Sequence, residues 1–155
     1  VLDAGSNSNN VVHGSAGLTL AKSLTVYEAF GEADVPDDGQ RYFVVSPAGW
    51  ADLLQIDQFS RAEYVGEKDL PYAGGLTAKR WLGFMWFTFS GLSISSTTRD
   101  CHAWHRSSVG LAMGSDIRTE VNYIPEKVSN LITSYMSMGA VMIDNEGAIE
   151  CQITE

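Results

Sequence analysis

Ligand-type side chains gather at one place in the sequence, Cys101-His102-Ala103-Trp104-His105, with Asp100 just before them and Cys151 near the other end of the chain. One cysteine and two histidines are donor types that zinc takes in tetrahedral sites, and Cys151 or Asp100 would complete a set of four. The spacing argues against it. On a strand successive side chains alternate, so His102 and His105 point to opposite faces, and no paired C-x-x-C accompanies them. Ser107 or Ser108 with His105 and Asp100 sketches a nucleophilic triad, yet no Gly-x-Ser-x-Gly elbow frames either serine. A small zinc-dependent or hydrolytic enzyme centred on Cys101, His102 and His105 is therefore the alternative from another class. No catalytic residue, metal ligand or cofactor is assigned, and these side chains are expected to bond to backbone or face a loop.

The remaining motifs read as structure. Gly110-Leu111-Ala112-Met113-Gly114-Ser115 carries glycines but neither the lysine of a phosphate loop nor the spacing of a dinucleotide fingerprint, so turn and packing glycines are expected. Met136, Met138 and Met142 beside Tyr135 could make a soft binding surface, but core is the default for such residues. Asp34, Asp37 and Asp38 are expected to be a solvated turn rather than a cation site.

Positioning these residues falls to elements that the hydrophobic pattern outlines, and the core should form around one stretch. Two tryptophans and three phenylalanines lie between Trp81 and Phe89, in a run too short to span a bilayer, which predicts a buried strand over 79–92. Its alternation puts Leu82, Phe84 and Trp86 on one face and Trp81, Met85, Phe87 and Phe89 on the other, with a twist at Gly83. A strand apolar on both sides sits inside a layered core or keeps one face for a neighbouring subunit.

Before it, residues 18–33 predict a helix, with Leu20, Ala21, Leu24 and Tyr27 as the stripe, Val26 and Phe30 widening it, Ser15 as a cap and Gly31 near the end. A turn-rich connector over 34–40 leads to a strand over 41–46. Ser46-Pro47 then caps a helix over 47–56 with Trp50, Leu53 and Leu54 on one side. A further helical turn takes in Phe59, and a long polar connection covers 63–78.

After the aromatic stretch come a polar loop at 93–100, a strand at 101–106, a short helix at 107–113 and an alternating strand at 116–124 with one wet face. Pro125 is expected to start a helix with Val128, Leu131, Ile132 and Tyr135 on one side. A strand at 138–143 and a terminal hairpin through 144–147 into 148–153 close the chain.

With 155 residues, 45% of them hydrophobic, the chain suits one ordinary core. Ten basic against nineteen acidic residues leave a net charge of -9, which argues against a general nucleic-acid surface, because neutralising phosphate takes clustered Lys and Arg. The two cysteines are too few for a disulfide scaffold and fit a reducing compartment. Residues 1–12 show no signal peptide, and a chain that starts without Met reads as a piece of a longer polypeptide.

The order of these pieces resembles a known family. Arg41-Tyr42-Phe43-Val44-Val45-Ser46-Pro47-Ala48-Gly49-Trp50 leading to Leu53-Leu54, then Tyr64-Val65-Gly66 with Asp69-Leu70-Pro71, Lys79-Arg80-Trp81-Leu82-Gly83, Cys101 to His105 with Val109-Gly110, and Ser137-Met138-Gly139-Ala140-Val141 look like the major capsid proteins of tailed bacteriophages. Within that group they resemble the phage capsid-like proteins of Hong Kong 97-type fold. The resemblance implies an α+β fold with a long spine helix, at 18–33, packed beside a mixed or antiparallel sheet. It implies a flexible lead-in at 1–17 and one capsid-like domain at 18–155, its peripheral and axial parts interleaved. The family's N-terminal arm and extended loop would precede residue 1, making this a C-terminal portion.

The implied function is structural rather than enzymatic. The subunit of a phage or prophage icosahedral capsid assembles with copies of itself into pentamers and hexamers around the genome. It would be made in the bacterial cytoplasm, reside in the virion, meet scaffold and portal proteins, touch packaged DNA only indirectly and use no membrane. A nanocompartment shell of the same fold is a close alternative. The aromatic stretch, the loop from Tyr64 to Tyr72 and the strand from Asp116 to Tyr123 are expected to be rich in contacts between subunits.

Overall fold

The computed structural model of the chain describes residues 9–60 and 78–155. They fall into two compact units, one comprising the chain up to Val109 together with Met142–Glu155, the other Gly110–Val141. No described helix is long and apolar enough to cross a membrane. The expectations for the connection at 63–78, its contacts from Tyr64 to Tyr72 included, lie almost wholly outside the described residues, as does the start of the lead-in.

Among the described residues, the first unit is built on a mixed sheet of seven strands: β1 (Asn10–Val11), β2 (Arg41–Val45), β3 (Ala78–Trp81), β4 (Phe84–Thr88), β5 (Ile94–Ser95), β6 (Thr98–His105) and β9 (Ala148–Thr154). Their order is β1-β9-β6-β2-β4-β3, with β5 on β6; β1–β9 and β2–β4 are parallel pairs and the others antiparallel. Trp86, Phe43, Ala103 and Ile149 stand in register across four adjacent strands, all buried. Phe43 and Trp86 stack with ring centroids 4.0 Å apart. Arg41, Phe84, Cys101 and Cys151 follow the same parity, so this face of the sheet is the core face.

Three helices join that core: α1 (Leu20–Glu32), α2 (Pro47–Gln55) and α3 (Asp57–Ser60). Helix α1 starts at Thr19, whose hydroxyl accepts from the Lys22 amide, and not at Ser15. It stops because Asp34 takes a left-handed backbone, φ 52°, while Val35 N–H returns to Phe30 O. Its buried row is Ser23, Val26 and Phe30, whereas Leu24 and Tyr27 of the expected stripe are exposed. The pattern misleads because Ser23 is buried, its hydroxyl donating to Thr19 O and so carrying no unmet polar group inward. Phe30 meets Phe84 edge-on at 5.2 Å.

Helix α2 obeys its sequence signature: Ser46 Oγ accepts from Gly49 N–H, Pro47 fills the first position, and Leu53 is buried. Phe59 of α3 lies edge-on to both Trp50 and Trp81, and the Lys79 ammonium sits over its ring, 4.3 Å from the centroid. The segment before α1 is tied down as well. Lys22 Nζ donates to Ala16 O, Gly17 O and Gln152 O, and Asp52 accepts from Leu18 N–H at 2.8 Å.

Five expectations need correction. The aromatic stretch is a hairpin, β3 and β4, turned through Leu82 and Gly83 at φ 48° and 75°; two left-handed residues make the tight turn whose twist suits paired strands. Trp81 consequently shares a face with Phe84 and Trp86, and Leu82 is in the turn. The loop at 93–100 holds the β5–β6 hairpin. The helix at 107–113 is only a 3₁₀ turn, Arg106–Ser108, before strand β7 (Val109–Ile124). The helix from Pro125 is likewise a single 3₁₀ turn, Pro125–Lys127, ended by Val128 at φ 48°, and the chain continues from there as strand β8 (Ser129–Met142). Finally, β9 makes no terminal hairpin, because it inserts between β1 and β6.

The second unit is the two-stranded pair of β7 and β8. The spacing of Val128, Leu131, Ile132 and Tyr135 mimics a helical stripe, but these residues sit among Thr, Ser and Met that also fit a period of two. Pairing with a sixteen-residue neighbour decides between the two periods.

Candidate functional site

Strand β6 holds the residues with chemical potential and separates them. Cys101 and Cys151 oppose each other in register, both free and buried, and burial pushes each thiol up to about 12. His102 is buried on the opposite face, in register with Val44 and Glu150. His105 returns to the face of Cys101, but four residues along, roughly 13 Å at strand rise. Among the described residues no three His, Cys, Asp or Glu side chains converge as a metal site would need. The set of Cys101, His102, His105 and Cys151 is therefore not brought together. Asp100 faces away from His105 by strand parity.

One constellation does form around His105, with a carboxylate that the spacing does not indicate. Its Nδ1 lies 2.7 Å from Ser107 Oγ and accepts from Ser107 N–H at 3.3 Å, while Nε2 lies 3.1 Å from Asp38 Oδ1. Asp38 comes from the connector between α1 and β2, 67 residues away, so nothing local to His105 announces it. The same carboxylate accepts from Gln40 N–H, and these two bonds hold Asp38 below the usual carboxylate range, the Gln40 bond counting for more. Serine, imidazole and carboxylate thus meet, but the imidazole nitrogen facing the serine also caps the Arg106–Ser108 turn. That is the geometry of a fastened turn. Ser108, the neighbouring serine, is buried against Gly147, where an added Cβ would fall 1.8 Å from its Oγ.

The second feature is a surface. Thr119 Oγ1 pairs with Ser134 Oγ at 3.0 Å, and Tyr135 donates to Glu120 at 3.0 Å, so odd residues of β7 share a face with even residues of β8. One face therefore carries Leu111, Met113, Ile117, Val121 and Tyr123 with Ile132, Met136 and Met138, every one exposed. The other carries Asp116, Arg118, Glu120 and Asn122 with Thr133, Tyr135 and Ser137, and is the more polar of the two although Leu131 and Val141 are exposed on it. The alternation expected at 116–124 is correct, yet the apolar side is open rather than covered. Met136 and Met138, expected in the core, are more than half exposed. An isolated two-stranded hairpin is marginal in water, and this face leaves eight large apolar side chains open around the Thr119–Ser134 pair.

A mixed sheet with helices on its core face, its chain interrupted between β6 and β9 by a long amphipathic strand pair, has the fold of Hong Kong 97-type capsid proteins. The solved structures similar to it include a protein of Mycobacterium phage Che8, with a TM-score of 0.73, 18% identity, and 97% of this chain covering 54% of that one. Another is from the capsid of the cyanophage P-SCSP1u, with a TM-score of 0.62, 15% identity and coverage of 95% and 53%. A third is the SrpI encapsulin of Synechococcus elongatus, with a TM-score of 0.62, 9% identity and coverage of 99% and 56%. The chain belongs to the phage capsid protein family, whose pattern it matches over residues 3–155. It spans about half the length of these solved structures. No curated protein sequence matches it.

Proposed function

We propose that this chain works as part of a shell subunit, assembling with copies of itself into the capsomers of a closed icosahedral phage or prophage capsid. It contributes structure and no catalysis. The observation that carries the reading is the open apolar face of β7 and β8, on a chain whose family is that of phage capsid proteins. Symmetry repeats each subunit contact over many copies, so modest faces suffice for a stable wall. An acidic chain suits a container, because a wall that gripped phosphate strongly would hinder packing and release of DNA. Contact with the genome is therefore indirect, the working location is the virion, and scaffold and portal proteins are the further partners.

Electron microscopy of the full-length product expressed alone tests this. Closed shells or sheets are the expected outcome, and a monodisperse monomer at high concentration would overturn the proposal. The likeness to an encapsulin favours one second reading, a nanocompartment shell of the same fold. Particles purified with protein cargo and no nucleic acid would support that reading over the first.

A further inference from the structure

The bonds around His105 have directions, and two of them run only one way. A carboxylate only accepts, so the Nε2 facing Asp38 Oδ1 must carry a hydrogen; a backbone amide only donates, so the Nδ1 facing Ser107 N–H must not. The Ser107 hydroxyl, 2.7 Å from Nδ1, can turn to suit either state. Only the singly protonated ring with its hydrogen on Nε2 satisfies all three partners. Its place in the chain gives this choice a consequence. His105 ends β6 and caps the Arg106–Ser108 turn, the step through which the chain passes into β7.

The same turn is held on both sides. Arg106 N–H donates to Gln40 O, His105 N–H donates to Gly147 O, and Ser108 O accepts from Ile143 N–H at 2.8 Å. We propose that His105 is a proton-gated switch: with one proton its ring accepts from the Ser107 amide and caps the Arg106–Ser108 turn, and with two it gives up that cap and holds the turn only by donating to the Ser107 hydroxyl. A second proton, on Nδ1, sets a donor against the Ser107 N–H and removes that cap, while it adds charge to the bond with Asp38. The Ser107 hydroxyl, able to accept as well as donate, keeps the ring beside the turn while the Ser107 amide loses its acceptor.

The charged groups on the elements around the ring do not block this. Asp38, bonded to Nε2, favours the added charge; Asp37 beside it on the connector and Asp144 and Glu146 in the turn before β9 are the other carboxylates on the elements that hold the ring. Arg41 on β2, Arg80 on β3 and Arg106 oppose it, but each guanidinium is directed at an oxygen of its own, on Pro36, Gly39 and Gln40 respectively. The inference does not depend on the shell reading, since it concerns one ring and one turn.

Nitrogen-15 spectra of the imidazole rings over a pH series, read with amide exchange at Ser107, test it in the full chain. The expected result at neutral pH is His105 with hydrogen on Nε2 alone. On protonation of the ring, the protection of the Ser107 amide relative to its intrinsic exchange rate should fall about tenfold while the amides of β6 stay protected. In Ser107→Ala the tautomer should persist, because the backbone donor remains. In Asp38→Asn the same backbone donor should keep Nδ1 bare at neutral pH, while loss of the carboxylate charge should move the change at Ser107 to lower pH. A ring with hydrogen on Nδ1 at neutral pH, or Ser107 protection that does not change as His105 titrates, would overturn the proposal.

Discussion

At the scale of single residues, burial decides which groups can react. Cys101 and Cys151 stand opposite each other on the core face with thiols at about 12, so almost no thiolate exists at neutral pH and no reagent reaches it. A thiol-specific chromogenic reagent should therefore read near zero thiols in the native chain and two after denaturation; rapid labelling of the native protein would contradict this placement. Glu155 behaves in the opposite sense. Arg99 donates to it at 2.9 and 3.1 Å and holds its carboxyl below the ordinary carboxylate range. A carboxylate depressed in the folded state adds stability above its unfolded pKa, and that contribution disappears as pH falls through the folded value. Replacing Glu155 with Gln should lower stability at neutral pH by under about 1 kcal/mol, as for a partly exposed ion pair, and leave it unchanged at a pH below the folded value. Denaturant melts at the two pH values read the difference.

At the scale of elements, turn chemistry matters more than periodicity. The aromatic stretch reads as one long strand because its apolar residues run without a break, and Gly83 by itself suggests only a twist. Yet Leu82 and Gly83, both left-handed, fold it into β3 and β4 and bring Trp81 beside Phe84 and Trp86. Gly83 pairs a positive φ with a close neighbour, because an added Cβ would lie 3.2 Å from Asp37 Oδ1. Gly83→Ala should cost about 1–2 kcal/mol of unfolding free energy, the penalty of a left-handed L-residue, and Gly83→Asn distinctly less. Equal losses in thermal melts of the two variants would mean that the turn imposes no such backbone. The legible features rest on local signals: Ser46-Pro47 capping α2, the strand at 41–45, the alternation from Asp116 to Tyr123. The illegible ones depend on partners distant in sequence. No pattern near Ser129 says that a neighbouring strand will override a helical stripe, none near His105 points to Asp38, and none near Ala148 tells β9 to insert between β1 and β6.

At the scale of the whole molecule, the proposed contact surface is visible in the sequence only as an alternation, because whether an apolar face is core or contact depends on what covers it. The eight exposed apolar residues on one face of β7 and β8 give the proposal its sharpest test, since the two faces of one hairpin can be altered independently. Burying one such side chain against a neighbour is worth about 1.5–3 kcal/mol, and a charge in its place costs more, repeated in every copy of a symmetric wall. Ile117→Lys and Met136→Lys, both on the apolar face, should therefore abolish closed particles in electron micrographs. Asn122→Lys, on the polar face of the same strand pair, should leave them intact at matched expression. Circular dichroism would separate a failure to fold from a failure to assemble, because the core around Phe43 and Trp86 belongs to the other unit and contains none of the altered residues. If lysine on either face removes particles equally, or on neither, the apolar side of β7 and β8 is not the surface on which copies meet.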